Sequence, residues 1–187
     1  MEVFFGFVLL LLVGAVVVLF AMVGELAARV GGRPTANRST SVDPLVDAHV
    51  GHVPSSWPTG LEPVAAGDHG AILLVLSTVC SSCRDVAQQL AAAPDDARSG
   101  SFGVVVTCGD AESGSAFVDG YGLGGRPHYV DVDGEWVRDE FNIQSSPVAV
   151  VFAHAAVAAV LQFNDVEALV VATDEVLAEH QHKEVVQ

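Results

Sequence analysis

Basic residues are scarce in this chain of 187 residues: eight lysines and arginines stand against 23 aspartates and glutamates, giving a formal net charge of −15. The imbalance lies after residue 40, where 21 acidic residues accompany only five basic ones. A surface of this sign repels phosphate backbones. The composition therefore argues against nucleic acid as a partner and favours a partner surface that is neutral or basic.

Cysteine is also rare, with three residues in the chain. Cys80 and Cys83 form a CxxC motif, and Cys108 stands alone. The sequence contains no second CxxC or HxxxH motif at a spacing that would complete a zinc site, so we predict no bound metal and no cofactor. Three interpretations of the pair remain at this point: a redox centre, a copper or zinc carrier that adds a histidine, or two packed thiols.

Charge of either sign is absent from Val3 to Gly24, a run of 22 residues. As a helix with a rise of about 1.5 Å per residue, the run would span roughly 30 Å, the thickness of a bilayer's hydrocarbon core. It lacks the basic start, short apolar core and small-residue cleavage site of a signal peptide. We therefore predict a retained single-pass anchor at residues 1–26, with residues 3–24 in contact with membrane lipid.

The rest of the chain divides into a linker and one domain. Residues 27–60 are rich in Gly, Pro, Ser and Thr, which predicts a flexible juxtamembrane linker. The segment from His49 to Gly70 adds Trp57 and several apolar residues, so an entry strand or loop packed against the domain is the alternative there. Strand and helix patterns alternate within residues 61–187. Strands are predicted at 71–77, 102–108, 128–133, 148–152 and 157–163, and helices at 80–93, at 110–121 and after a capping box formed by Asn164 and Glu167. This order predicts an α/β fold with a central mixed sheet flanked by helices.

The CxxC motif falls at the junction of a buried strand and a helix. That position places Cys80 at the helix N-terminus, where free N–H groups and the helix dipole favour the thiolate and make it a nucleophile. Cys83 lies one turn inside the helix, shielded, where it can resolve a mixed disulfide. A CxxC in this setting favours the redox interpretation over the other two.

A second motif strengthens this interpretation. The stretch FNIQSSPVAVVF, from Phe141 to Phe152, resembles the cis-proline loop of thioredoxin-like proteins. The resemblance implies a thioredoxin-like fold in which Pro147 is the cis-proline and faces the cysteine pair. It also implies that Ser146 supplies backbone hydrogen bonds to a substrate chain.

Within the thioredoxin-like superfamily the chain is similar to the membrane-anchored TlpA and MauD group over roughly residues 60–180. The similarity is carried by an S-x-x-C-x-x-C-[KR] motif from Ser77 to Arg84 and by HYVDVDGEWVRDEFNIQSSPVAVVF. It implies a membrane-tethered thiol–disulfide oxidoreductase that acts on protein thiols or disulfides, with a membrane electron donor or a membrane complex as a further partner.

Two features of the sequence predict opposite sides of the membrane for the domain. The resemblance to the TlpA and MauD group implies that the domain lies outside the cytoplasm. Arg29, Arg33 and Arg38 follow the apolar run, and by the positive-inside rule they favour the cytoplasm. We expect the extracytoplasmic side, on the resemblance.

The motif departs from that of general thioredoxins at three places. Val79 replaces a tryptophan, Ser81–Ser82 replaces Gly-Pro, and Leu74 replaces a buried acid. These departures favour a dedicated partner over a general reductase, and they leave the direction of electron flow open. They also keep open an alternative function, a non-catalytic adaptor subunit of a membrane complex.

Other candidate residues receive simpler interpretations. Cys108 ends the second strand at the same sheet edge as the pair, and we expect a small buried hydrophobe there, with a third redox thiol as the alternative. The two tryptophans, Trp57 and Trp136, are interpreted as packing residues, with a place beside the active-site groove as the alternative. A solvated face is predicted for four acidic residues, Asp131, Asp133, Asp139 and Glu140.

Overall fold

The computed structural model describes residues 41–66, 70–93 and 102–185, together with Phe4 and Gly6. The predicted anchor and residues 27–40 of the predicted linker therefore lie outside the described residues, apart from those two positions. Among the helices that the structure describes, none is long and apolar enough to cross a membrane.

Six strands and five α-helices make up the described part of the chain. The strands are β1 (Val42–Pro44), β2 (Ala71–Ser77), β3 (Phe102–Cys108), β4 (His128–Val132), β5 (Val148–Ala153) and β6 (Ala156–Phe163). The helices are α1 (Glu62–Ala65), α2 (Ser81–Ala92), α3 (Ala111–Gly120), α4 (Glu135–Phe141) and α5 (Val166–Val185), with a 3₁₀ turn at Leu123–Gly125.

The strands form one sheet in the order β1-β6-β5-β2-β3-β4. The β2–β3 and β3–β4 pairs are parallel, whereas β2–β5, β5–β6 and β1–β6 are antiparallel. The predicted mixed sheet flanked by helices is confirmed. The parallel pairs have helices in their connections, as parallel strands require.

The central strand β2 is buried on both faces, which explains its unbroken apolar run. Ile72, Leu74 and Leu76 pack on one side against α2, α3 and α5. Leu73 and Val75 pack on the other side against α1, α4 and β5. Each large side chain buried in this way stabilises the fold by about 1.5–3 kcal/mol relative to an exposed position.

The N-terminal strap, defined as residues 41–57, is folded onto the domain, although these residues fall within the predicted flexible linker. Val42 pairs with Phe163 in the β1–β6 ladder. Leu45 donates its backbone N–H to the carbonyl of Val160 at 2.8 Å. The edge of β6 would otherwise present unpaired backbone groups, and the strap covers them. The packed part of the chain therefore begins before residue 61.

The start of α5 differs from the prediction by one residue. The helix begins at Val166, and the Asp165 carboxylate accepts a hydrogen bond from the Ala168 N–H at 2.9 Å. Asp165, rather than Asn164, is therefore the residue whose side chain caps the helix. Glu167 is exposed in the first turn and stands one position too early to complete a capping box.

Asp165→Ala is expected to lower the free energy of unfolding by about 1 kcal/mol, because the Ala168 amide loses its capping acceptor. Glu167→Ala removes only a favourable charge near the helix dipole and should cost roughly 0.3–0.5 kcal/mol. Urea denaturation followed by tryptophan fluorescence measures both losses. Equal losses in the two variants would contradict the assignment of the cap.

Candidate functional site

Cys80 lies at the N-cap of α2, directly after the end of β2. A turn closes there, with the Cys80 N–H donating to the Ser77 carbonyl at 3.2 Å. Cys80 has extended backbone angles (φ −91°, ψ 124°), and its Sγ accepts the Cys83 N–H at 3.3 Å. The thiol thus takes the capping place of a Ser or Asp side chain, where free amide groups favour a negative charge.

The surroundings of Cys80 favour its thiolate. Partial burial alone would raise its pKa, but hydrogen bonds from Cys83 and Ser82 outweigh burial and hold the pKa of Cys80 below its ordinary value. The Ser82 hydroxyl lies 3.2 Å from Sγ. Because Cys80 remains partly exposed, this sulfur is both activated and accessible.

Cys83 has the opposite environment. Its side chain is fully buried and packs in the core between α2 and the sheet. Burial and then the neighbouring Cys80 sulfur raise the pKa of Cys83 to about 12. In this structure both residues are free thiols, so the pair consists of one partly exposed thiol with a lowered pKa and one buried thiol with a raised pKa.

The loop before β5 faces the cysteine pair. The Ser146–Pro147 peptide bond is cis, and the Cys80 thiol donates to the Ser146 carbonyl at 3.4 Å. Cys80 and Ser146 are 66 residues apart in the sequence. They meet because β2 and β5 are antiparallel neighbours, with Val75 opposite Val148, so that the end of β2 lies beside the start of β5.

A groove of about 470 Å³ opens beside this junction. Its walls come from the residues after β2, the end of β3, the first turn of α4 and the loop that leads to Pro147, and they include Val79, Cys108, Arg138, Ser145 and Ser146. Val79 is 86% exposed. In the described part of the chain, the buried Ser145 hydroxyl oxygen has no hydrogen-bond partner. Cys80 itself does not line the groove, but its neighbours Val79 and Ser146 do, so the groove offers an exposed apolar contact one residue from Cys80.

Cys108 lies at the sheet edge where the sequence placed it. It lines the groove, yet only 7% of its side chain is exposed. Its Sγ is 3.9 Å from the Asp131 carbonyl, and burial raises the pKa of its thiol. These properties fit the buried hydrophobe that the sequence favoured. Exchange of Cys108 with the pair stays a prediction.

Two of the four acidic residues predicted to be solvated are buried. Asp131 is 2% exposed, and Glu140 is 7% exposed. The prediction was wrong for them because each carboxylate meets backbone or side-chain donors from another segment. A signal for Asp131 was present in its position before an Asp-Gly turn and a helix start. Asp133 and Asp139 are exposed, as predicted.

The tryptophans pack against the sheet. The Trp57 ring lies 5.3 Å from that of Phe152, and the Trp136 ring lies 5.2 Å from that of Phe141. The packing interpretation accounts for both. Among the residues that the structure describes, no three His, Cys, Asp or Glu side chains are grouped to hold a metal ion.

No protein-family model and no curated protein matches this chain. Solved structures do show similarity. A secreted Mycobacterium tuberculosis disulfide oxidoreductase homologous to E. coli DsbE is 24% identical over 53% of this chain and 72% of that chain, with a TM-score of 0.40. Mycobacterium tuberculosis DsbF is 22% identical over 58% of this chain and 79% of that chain, with a TM-score of 0.43. A thioredoxin-like protein from Aeropyrum pernix is 18% identical over 61% of this chain and 79% of that chain, with a TM-score of 0.45.

The fold assignment rests on the arrangement of the elements themselves. A parallel β2–α2–β3 unit carries the CxxC motif at the start of its helix, and the antiparallel β5–β6 hairpin follows a cis-proline that faces the motif. Helix α5 follows the hairpin. The chain has a thioredoxin-like α/β fold.

Proposed function

We propose that this chain is a membrane-tethered thiol–disulfide oxidoreductase that acts on cysteines of a partner protein. The observation that carries the proposal is the asymmetry of the pair. Cys80 is accessible with a lowered pKa, whereas Cys83 is fully buried with a raised one. This division suits an attacking thiol and a resolving thiol. The thiolate form is the nucleophile, so Cys80 attacks first, and the buried, protonated Cys83 reacts only after the mixed disulfide has formed on Cys80.

The reaction proceeds in two exchanges. The Cys80 thiolate attacks one sulfur of a partner disulfide, the partner's S–S bond breaks, and the other partner sulfur leaves as a thiolate that takes up a proton. Cys83 then loses its proton and attacks Cys80 Sγ. The bond to the partner breaks, a Cys80–Cys83 disulfide forms, and the second partner thiolate leaves. Two electrons pass to the partner, and the reverse sequence oxidises a partner dithiol.

The loop of Ser146 and Pro147 is the proposed binding site for the partner chain. The Ser146 carbonyl lies within 3.4 Å of Cys80 Sγ, so a chain bonded to this sulfur passes directly over the loop. The groove beside the loop continues the binding site, with Val79 as an apolar contact. A binding site of this extent supports a dedicated protein partner.

The location is also part of the proposal. Residues 3–24 anchor the chain in the membrane as a single helix, and the domain acts outside the cytoplasm on protein thiols. The uncharged run of 22 residues supports the anchor, and the resemblance to the TlpA and MauD group supports the side.

Cys83→Ser is expected to accumulate covalent complexes with partner proteins, because the mixed disulfide on Cys80 can no longer be resolved. Non-reducing gels of cells expressing the variant measure these complexes. They should disappear in a Cys80→Ser/Cys83→Ser variant and persist in Cys83→Ser/Cys108→Ser, which is the matched control. Complexes that require Cys108 instead of Cys80 would contradict the assigned nucleophile. A pair that traps nothing would favour the adaptor function.

The rate of alkylation by iodoacetamide is expected to depend on pH through Cys80. Because its pKa is lowered, the rate should reach its plateau at a lower pH than for an ordinary thiol, and Cys83 should stay unmodified until strongly alkaline pH. Ser82→Ala removes a donor to Sγ and should move the midpoint to higher pH. Mass spectrometry of quenched samples identifies the modified residue. A midpoint unchanged by Ser82→Ala would show that this hydroxyl does not stabilise the thiolate.

Deletion of residues 2–24 is expected to release the chain from membranes, because the other long uncharged stretch, residues 141–164, contains several polar residues and forms strands β5 and β6 of the domain. Carbonate extraction followed by ultracentrifugation measures the distribution. The full chain should stay in the pellet.

A C-terminal alkaline phosphatase fusion to the full chain should be active, and an inactive but intact fusion would place the domain in the cytoplasm.

A further inference from the structure

Helix α4 forms a wall of the groove beside Cys80 and leads into the 143–146 loop, the residues that precede Pro147. Its residues Val137 and Arg138 line the groove, together with Ser145 and Ser146 from the loop. The helix has only seven residues, and an isolated helix of that length is not stable in water. Its stability therefore depends on contacts with other segments.

A buried carboxylate holds the N-terminal end of α4. Asp131, in β4, accepts the backbone N–H groups of Trp136 at 3.3 Å and Val137 at 3.0 Å. These amides lie in the first turn, where a helix has no internal acceptors. Asp131 therefore ties the start of the helix to the sheet.

A second buried carboxylate holds the other end. Glu140 accepts the Ser55 N–H at 2.9 Å and the Ser55 hydroxyl, and its Oε2 lies 2.9 Å from His52 Nε2. Burial alone would raise the pKa of Glu140, but these bonds outweigh burial and hold the pKa below its ordinary value. The carboxylate thus remains charged and joins the strap to a helix 85 residues away in the sequence.

Backbone and side-chain contacts beside Glu140 join the same two segments. The His49 N–H donates to the Phe141 carbonyl at 3.2 Å. The Asn142 side-chain amide donates to the Asp47 carbonyl at 2.7 Å. Because Asn142 is the C-cap of α4 and is followed by the 143–146 loop, these contacts fix the position at which that loop begins.

We propose that Glu140 is a positioning residue for partner capture: by binding Ser55 and His52 of the strap, it holds α4 and the 143–146 loop at the width that a polypeptide needs beside Cys80. The inference rests on the proposed function. Glu140 touches neither sulfur in this arrangement. Its loss should weaken capture of a peptide and leave the intrinsic reactivity of Cys80 intact.

The test compares two probes that share one leaving group. The first is a ten-residue peptide whose cysteine is a mixed disulfide with 2-nitro-5-thiobenzoate, and the second is N-acetylcysteinamide carrying the same group. Attack by Cys80 releases the coloured thiolate from either probe. Only the peptide is long enough to occupy the groove. All measurements use the full chain in detergent in the Cys83→Ser background, so that each molecule reacts once.

Glu140→Ala is expected to lower the second-order rate constant for the peptide by about tenfold, a size typical of a displaced binding element, while the small probe changes less than about twofold. Ser55→Ala and His52→Ala remove donors from the strap side and should give smaller losses with the same selectivity. These two variants keep the test decisive if Glu140→Ala fails to fold. Amide hydrogen exchange at residues 143–146 should quicken in all three.

Asp165→Ala is the matched control, because it removes the cap of α5 and none of the hydrogen bonds that Glu140 makes with the strap. It should leave the ratio of the two rate constants unchanged. An unaltered peptide rate in Glu140→Ala, an equal fall with both probes, or the same selective loss in Asp165→Ala would overturn the positioning role. A parent chain that reacts with neither probe faster than its Cys80→Ser variant would overturn the proposed function, and the inference with it.

Discussion

The antiparallel pairing of β2 with β5 is the constraint on which the site depends. It places the loop before β5 against the turn after β2, so that the Ser146 carbonyl reaches Cys80 Sγ across 66 residues of sequence. The register is fixed because both strands are buried on both faces, so a slip of one residue would exchange the side chains of the two core clusters and disrupt their close packing. The position of Cys80 relative to the Ser146–Pro147 loop is therefore set by strand pairing in the core of the sheet.

The sheet also separates two tasks. Cys80 and Cys83 belong to the layer that packs under α2, α3 and α5, where burial suppresses ionisation of Cys83. The groove belongs to the opposite layer, formed by α1, α4 and the strap. A change in the first layer acts on thiol reactivity, whereas a change in the second acts on what can lie beside the thiol. Thiol reactivity and the shape of the groove therefore depend mostly on different side chains, and Ser146 contributes to both.

Much of the fold could be predicted from the sequence because its signals are local. The unbroken apolar run of β2, the helix opened by Cys80 and the Ser-Pro step before β5 each depend on a few neighbouring residues. The buried state of Glu140 could not be predicted in this way, since its partners, His52 and Ser55, are far away in the sequence. The strap was predicted as linker, with a packed entry strand or loop as the alternative from His49 onward. Strand β1 lies before that point, and it forms because the edge of β6 is open to it, which is not a local property of residues 42–44.

The departures from the thioredoxin motif acquire a physical meaning from these contacts. Ser82 supplies a hydroxyl to Cys80 Sγ, so the Ser-Ser dipeptide stabilises the thiolate by a hydrogen bond that Gly-Pro could not make. Val79 leaves an exposed methyl surface beside the sulfur where an indole would cover it. The site thus combines a stabilised thiolate with an open, partly apolar approach. In the proposed oxidoreductase, selectivity for a partner would then come from the shape of the groove. Two buried carboxylates, Asp131 and Glu140, hold the helix that forms its wall.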